Sequence, residues 1–503
     1  MAVSTLAPVT EDPRALRDVL LNRAAADPDR LAYDDGNRSI AYGELAANAA
    51  GKAVALRRLG VEQGDRVVLT MSAGVEFTEA FWAVQMLGAA SCALNPAHPA
   101  ETLRRRTQQL RPRLVVSDET LAGVGPGAPA EIHADIDPED IAVLQVTSGT
   151  SGEPRAAMLR QRNVLHYRSD DQQALRIGPE DVLVAWVPPW HDLGLVHFVV
   201  GCVFHGARCH IVQPAVRTIP DWLATISRTR GTLTGAPDFA FRLASRMVDP
   251  ATVDITSLRS AVNGGEPVLW STIERFEERF GVPGRIMPGY GLAEATLGVT
   301  THSPGDYRPV DDHGNVSCGV PFPGSEVRVD GDSSNPGEIL VRNRYVFAGY
   351  FDAPEDTRAA LDPEGWLHTG DVGYKDAKGN LYVLGRQRAM LKRAGAAIAP
   401  RELEEAAQRA DGVQLAAVVS LPAPTALTDT ITVVVEARES AARTADAVAA
   451  DVSRAIVATS GFAPGRVAVV PPRTIPRTAN GKIRHDHLRT LLLEGAIGGN
   501  AGE

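Results

Sequence analysis

Short apolar runs of strand length alternate with longer stretches of helical period over the first three hundred residues, and this alternation constrains the fold most. Arg66-Val-Val-Leu-Thr-Met, Arg113-Leu-Val-Val-Ser, Val182-Leu-Val-Ala-Trp and Arg208-Cys-His-Ile-Val read as buried strands. Segments such as Phe77 to Leu87 and Asp221 to Arg228 read as the helices between them. Strands separated by helices build parallel sheets with helices on their faces. After about Gly319 strands become closely spaced and Gly/Pro turns frequent (Pro321-Phe-Pro-Gly, Asn335-Pro-Gly, Lys378-Gly-Asn), which predicts an antiparallel, barrel-like piece. Beyond Gly385 the pattern changes again. A helix opens at Pro400 with acids in its first turn. Strands follow near Leu415 to Ser420 and Ile431 to Ala437, then an Ala-rich helix from Arg443 to Thr459. The expected fold class is α/β: a large N-terminal domain with two βα-layered subdomains and a small β-barrel-like piece, plus a small α+β C-terminal domain on a hinge. The boundaries read 1–385, 386–390 and 391–503. At 503 residues the chain has room for about three folding units, or two with one large.

Composition narrows the function. The formal charge of −10 and the lack of a clustered basic stripe argue against nucleic acid as a partner. Four cysteines are too few for a disulfide framework. No basic stretch followed by an apolar core opens the sequence, and the best apolar run, Phe81 to Leu94, is too short to span a bilayer. A cytoplasmic protein with no membrane association is expected; its oligomeric state, monomer or homodimer, stays open. Of 51 basic residues only five are lysine: Lys52, Lys375, Lys378, Lys392 and Lys482. Positions that keep a compact ammonium against that bias carry extra weight, because a planar guanidinium is no equivalent.

The strongest local motif is Thr147-Ser-Gly-Thr-Ser-Gly-Glu-Pro-Arg155, after the strand-like Ile141-Ala-Val-Leu-Gln-Val. Hydroxyls and backbone N–H groups gathered in a turn after a strand suit a polyphosphate. The spacing is neither a Walker A loop nor a dinucleotide-binding turn, and Gly149-Thr-Ser-Gly is not a nucleophile elbow. Further on stand Pro188-Pro-Trp-His191-Asp-Leu-Gly-Leu, Gly235-Ala-Pro-Asp-Phe-Ala, Asn263-Gly-Gly-Glu-Pro and Gly289-Tyr-Gly-Leu-Ala-Glu294. They are followed by Gly337-Glu-Ile-Leu-Val, Gly349-Tyr, Trp366-Leu-His-Thr-Gly-Asp371, Gly385-Arg386 and Pro476-Arg-Thr-Ala-Asn-Gly-Lys482-Ile. One other constellation, Cys202, His205, Cys209 and His210, matches no common zinc spacing and reads as buried core.

In this order, from about residue 40 to 490, the motifs resemble those of the adenylate-forming superfamily: acyl-CoA synthetases, fatty-acyl-AMP ligases and peptide-synthetase adenylation domains. The resemblance implies ATP-dependent activation of a carboxylic acid as acyl-AMP, Mg²⁺ as metal, and transfer to a thiol, with CoA as the first choice of co-substrate. It assigns nucleotide binding to Thr147, Ser148, Gly149, Thr150, Ser151, Gly152, Asn263, Gly264, Gly265, Glu266, Gly289, Tyr290, Gly291, Asp371, Val383 and Arg386. Within that set Thr147 and the loop hydroxyls hold phosphates and Asp371 the ribose, while Asn263, Gly264, Gly265 and Tyr290 form the adenine slot. Glu294 is the metal ligand and, with Thr147 and Lys482, catalytic. The acyl pocket takes Trp190, His191, Asp238, Phe239 and Ala293, with His191 open between a tunnel gate and a packed histidine. Lys392 and Gly395 approach the thiol, and Ala389 is the hinge.

Four departures from the pattern stand out. Arg155 replaces the usual lysine of the phosphate loop, Ala293 replaces the threonine before the metal glutamate, and Ala389 replaces a polar hinge residue. Only Thr300 to Val316 separates the Glu294 motif from Ser317-Cys-Gly, so the segment inserted here in fatty-acyl-AMP ligases is absent. Its absence favours thioester formation with CoA. Two alternatives remain: loading of an acyl carrier protein, and a thioester-forming specialist fed preformed acyl-AMP. A non-catalytic nucleotide-binding relative is the rival from outside the enzyme class.

Overall fold

The computed structural model describes residues 13–129, 132, 134–147, 155–312, 314–387, 391–393, 396–398, 400–421, 430–438, 443–460, 463–477 and 483–497. Two sheets carry the N-terminal part. In the first, strands Leu114–Ser117, Arg66–Thr70, Ala90–Ala93 and Ile141–Thr147 run parallel in that spatial order. Arg155–Arg160 then closes it as an antiparallel neighbour of Ile141–Thr147. The second has nine strands with a parallel centre: Ile286–Gly291, Ser260–Asn263, Leu233–Ala236, Val182–Ala185, Arg208–Ile211 and Leu31–Asp34. Its edges, Val320–Pro321 with Gly298–Thr301 on one side and Ser39–Ala41 on the other, are antiparallel. The α/β fold class expected from the alternation is the one observed.

The alternation of side chains along each strand divides the core. Leu183 and Ala185 face one hydrophobic cluster, shared with Leu69, Val143 and the helix Val75–Met86. Val184 and Trp186 face another, under the helices Ile219–Thr229, Asp238–Met247 and Trp270–Phe280. The helix expected at Phe77 to Leu87 is Val75–Met86. Apart from Glu76 every residue in it is buried, so it has no polar face, as befits a helix packed on all sides. Lys52 explains one retained lysine. It is buried with Glu79, Nζ to Oε2 2.8 Å, and Arg38 and Asn48 hold the other carboxylate oxygen. A short ammonium fits between two packed helices.

The closely spaced strands form a four-stranded antiparallel sheet, Glu326–Val329, Gly337–Arg342, Leu367–Lys375 and Leu381–Arg386. The C-terminal unit has a short pair, Leu391–Arg393 with Ala396–Ile398, and a three-stranded sheet. That sheet pairs Val413–Leu421 with Thr430–Ala437 and the latter with Arg466–Val470. Helices Pro400–Arg409, Ala445–Ser460 and His485–Leu493 cover it, with separate hydrophobic clusters on its two faces. No helix among the described residues is long and apolar enough to cross a membrane.

Candidate functional site

The strands Ile141–Thr147 and Arg155–Arg160 pair up to Thr147 opposite Arg155, where the Thr147 hydroxyl donates to the Arg155 carbonyl at 3.4 Å. Ser148, Gly149, Thr150, Ser151 and Gly152 lie outside the described residues. Beyond Arg155 the strand meets the Gly349-Tyr350 segment. Ala157 bridges Tyr350, Met158 N–H donates to the Gly349 carbonyl at 3.0 Å, and Phe351 N–H to Ala156 at 2.9 Å. Gly349 adopts φ +123°, and a Cβ there would lie 2.6 Å from Thr357, so this turn requires glycine.

That pairing aims the Tyr350 hydroxyl at Glu294, donating to Oε1 at 2.6 Å. Burial, and then the Glu294 charge, raise the Tyr350 pKa, so the phenol remains a donor. The Arg155 guanidinium lies over the same ring, 5.2 Å from its centroid, and ion-pairs Asp356 at 2.7 Å. Glu294 is thus half-buried, oriented by one phenol and close to the end of the Thr147/Arg155 pair. Tyr350 and Asp356 had no role in the sequence reading. The Gly349-Tyr pair was the available signal for the first.

A second knot forms where the four-stranded sheet meets the nine-stranded one. The buried Asp371 accepts from the Tyr290 hydroxyl (2.7 Å) and ion-pairs Arg386 Nε (2.9 Å), while Arg386 also donates to the Thr369 carbonyl. Burial and the Asp371 charge raise Tyr290 well above the ordinary phenol value. Arg386 is raised although burial opposes it, because Asp371, Tyr290 and Glu294 favour its charge. Val383 sits three residues upstream on the same strand, paired with Gly373.

Glycines draw the remaining segments together. A Cβ on Gly264 would lie 3.0 Å from the Gly289 carbonyl, and one on Gly291 would collide with Leu297. Gly265, at φ +80°, approaches the His191 ring, its Cβ position 3.9 Å from Cε1. Gly264 and Gly265 therefore lie between Gly289 and His191. Asn263 is fully buried; its amide donates to Asp238 (3.2 Å) and its Oδ1 has no hydrogen-bond partner among the described residues.

His191 is not a packed core histidine. Its side chain is 44% exposed, and Nδ1 lies 2.6 Å from Asp192 Oδ1. Burial alone would raise Asp192, but His191 and the Leu193 amide hold its carboxyl low. From Leu193 to Val200 the chain forms a π-helix, a turn common at functional sites, which the sequence reading did not foresee. Gly194, Phe198 and Val199 of that helix line a small, almost wholly apolar cavity with Phe77, Val187 and Ile211, with room for about one water molecule and not for an acyl chain. Trp190 is half-buried, and its carbonyl accepts from Gln145 on the strand that ends at Thr147. Neither Asp238 nor Phe239 lines that cavity: Asp238 is buried and holds the Leu269 amide and the Thr272 hydroxyl as well as Asn263. Phe239 packs on Trp186, and its amide donates to Glu266 Oε1 at 2.7 Å. Ala293 is buried in the short turn Ala293–Ala295. Burial raises the Asp238 pKa.

Lys392 belongs to the strand Leu391–Arg393, opposite Ala397. Ala389, Gly395 and Lys482 lie outside the described residues. Cys202 and Cys209 are buried, and among the described residues no group of three or more His, Cys, Asp or Glu is placed to hold a metal.

The profile of the AMP-binding enzyme family matches residues 20–351. A putative ligase of Mycobacterium tuberculosis is 31% identical over 75% of this chain and 76% of its own. A medium-chain-fatty-acid–[acyl-carrier-protein] ligase of Moorena producens is 27% identical over 96% of this chain and 95% of its own. Among solved structures, the anthranilate CoA ligase AuaEII in complex with anthranoyl-AMP superposes with a TM-score of 0.84. It is 22% identical over 98% of this chain and all of that one, a likeness of fold. With its motifs in order and two-thirds of its length matched, the chain belongs to the AMP-binding enzyme family, within the adenylate-forming superfamily of ligases.

Proposed function

We propose that the protein joins a hydrophobic carboxylic acid to CoA in two steps. Acid and ATP give acyl-AMP and pyrophosphate; the thiol of CoA then attacks the acyl carbon and AMP leaves. The observation that carries this reading is the convergence of Glu294, held by Tyr350, and Asp371, held by Tyr290 and Arg386, around the strand ends at Thr147 and Gly291. In this reading Asp371 accepts the ribose hydroxyls, and Thr147 with the residues that follow binds the phosphates. Gly264, Gly265 and Gly289 let the adenine lie close to backbone, beside Asn263 Oδ1, which has no hydrogen-bond partner among the described residues. Glu294 fits Mg²⁺, a hard cation that takes one or two carboxylates and completes its shell with phosphate oxygens. Glu294 would hold such an ion, which would supply positive charge beside the phosphates. In the same reading His191, partly exposed beside Gly265, meets the acid's carboxylate, and the name of the Moorena producens relative, a medium-chain-fatty-acid ligase, supports a hydrocarbon group behind it. Residues 1–385 act as the binding domain, 386–390 as hinge, and 391–503 as the domain that brings Lys482 and then Lys392 and Gly395 to the site.

CoA is favoured over a carrier protein by the short connection after Glu294: Thr301 pairs with Val320, which leaves eighteen residues between them. The carrier-protein ligase aligns over 572 positions, more than this chain contains, so the alignment opens gaps in this chain. Carrier loading remains the second reading, supported by that relative's name. The test incubates the protein with ATP, Mg²⁺ and a panel of carboxylic acids, with CoA or with a phosphopantetheinylated carrier protein. Acyl-CoA by mass spectrometry is expected. Acylated carrier without acyl-CoA would overturn the acceptor, and product only from supplied acyl-AMP would overturn the first step.

A further inference from the structure

One fully buried carboxylate lies outside the site described above. Glu436 stands in the central strand of the C-terminal sheet, opposite Leu415 on one side and Val470 on the other, with no exposed surface. Burying a carboxylate there is costly unless it is paired and hydrogen-bonded. Both of its partners come from one short stretch of chain. Oε1 accepts from the Ile475 amide at 2.9 Å, and Oε2 ion-pairs the Arg477 guanidinium. Arg477 in turn bridges Ile483, and the Arg484 amide donates to the Pro476 carbonyl at 2.9 Å. A second carboxylate holds the far side: Glu404 Oε1 takes His485 Nε2 at 2.6 Å and the Val418 amide at 2.9 Å. The described residues on either side of 478–482, Ile475 to Arg477 and Ile483 to His485, are therefore held by the side chains of Glu436 and Glu404, while 478–482, with Lys482, lie outside the described residues. Elsewhere the buried positions of this sheet are mostly valine, alanine, leucine and isoleucine, with Thr432 as a buried neutral polar residue.

We propose that Glu436, acting through Arg477, is a positioning residue for Lys482 in the adenylation step. The proposal rests on the reading of Lys482 given above. A flexible ammonium stabilises a developing charge only if its backbone is held at the right distance, and a displacement of about 1 Å costs on the order of 100-fold. A buried anion that grips the chain five residues before Lys482 supplies that constraint. Acyl transfer from a preformed adenylate does not use Lys482, so the anchor is not needed there.

The test separates the two half-reactions in the full chain. Dodecanoate-dependent ATP–pyrophosphate exchange reads adenylation, and thioester formed from dodecanoyl-AMP and CoA reads transfer. For Glu436→Gln and Arg477→Gln the exchange kcat is expected to fall about tenfold or more, with the KM for ATP little changed and transfer within about twofold of the parent. Arg477→Lys, which keeps the charge, is expected to recover part of the exchange rate. Arg477 is partly exposed, so its variants decide the matter should Glu436→Gln fail to fold. Exchange that does not move, or exchange and transfer that fall together, would overturn the proposal. Lys482→Ala is the control: if it leaves exchange intact, the role given to Lys482 fails rather than the anchor.

Discussion

Replacing Tyr350 by phenylalanine removes one oxygen and tests whether Glu294 is a metal ligand held in place. The phenol donates to Glu294 Oε1 at 2.6 Å, within the short range of charge-assisted O–H···O⁻ bonds. Groups that orient a metal ligand in this way typically cost 10–100-fold in metal affinity or activity when removed. Glu294 is half-buried, and water takes over part of the lost bond, so the low end applies: about tenfold, or ~1.4 kcal/mol. Phenylalanine keeps the ring under the Arg155 guanidinium and the backbone bridge to Ala157, so the fold should lose only about 1 kcal/mol. The assay is acid-dependent ATP–pyrophosphate exchange at fixed ATP and rising Mg²⁺. The half-saturating Mg²⁺ concentration is expected to rise about tenfold, with the plateau rate kept within about twofold. Tyr374→Phe, which removes a comparable bond to Asp311 away from the site, should leave the curve in place. An unmoved curve would refute the role of Tyr350. A curve moved to lower Mg²⁺ would show that the phenol competes with the metal instead of orienting its ligand.

Three further outcomes follow from the same geometry. Asp371→Asn removes the charge that holds Arg386 and replaces one of the two acceptor oxygens with an amide donor, so Tyr290 and Arg386 can no longer both be held, and it should raise the KM for ATP tenfold or more, about 1.5–3 kcal/mol, leaving the KM for the acid unchanged in initial-rate measurements. Asp171 is fully buried beside Arg168 and His197; burial alone would raise its pKa, but those neighbours hold it at about 2. A carboxyl lowered on folding stabilises the fold above its unfolded pKa. Denaturant midpoints should therefore fall as pH drops from about 4 to about 2, and Asp171→Asn should make that slope shallower, the rest being carried by other lowered carboxyls such as Asp181, Asp192 and Glu277, while costing about 3–5 kcal/mol at neutral pH. Lys52→Ala should cost about 3 kcal/mol by thermal or urea unfolding because it leaves the buried Glu79 Oε2 without its cation, with only Oε1 still held by Arg38 and Asn48, whereas Lys378→Ala, on an exposed turn, should stay within about 0.5 kcal/mol.

Strand and helix placement was legible because each rests on a short-range pattern. Val182-Leu-Val-Ala-Trp alternates sides of a sheet, and the residues around Pro400 carry their own start signal, so both elements stand close to where the pattern puts them. The π-helix Leu193–Val200 was not legible. Its run of apolar residues fits any buried helix, and what sets it apart is the approach of Gly194 to the Pro188 carbonyl, a contact that a Cβ would forbid. For the candidate site, the motifs name residue types, and His191, Asn263, Tyr290, Glu294 and Asp371 do gather in the fold. Asp238 shows the limit: the motif contains it, but whether it faces a ligand or a neighbour depends on Asn263 and Thr272, 25 and 34 residues away.

By itself, the sequence determined the α/β architecture, the family and the order in which the chemistry-bearing residues occur, since these follow from local periodicity and from motifs read in register. Tertiary structure alone decided which of those residues hold one another. Tyr350 reaches Glu294 across 56 positions, Tyr290 reaches Asp371 across 81, and Glu436 grips Arg477 across 41. Such pairings depend on how sheets stack and which strand ends coincide, and hydrogen bonds act over about 3 Å, a distance that spacing along a chain does not encode.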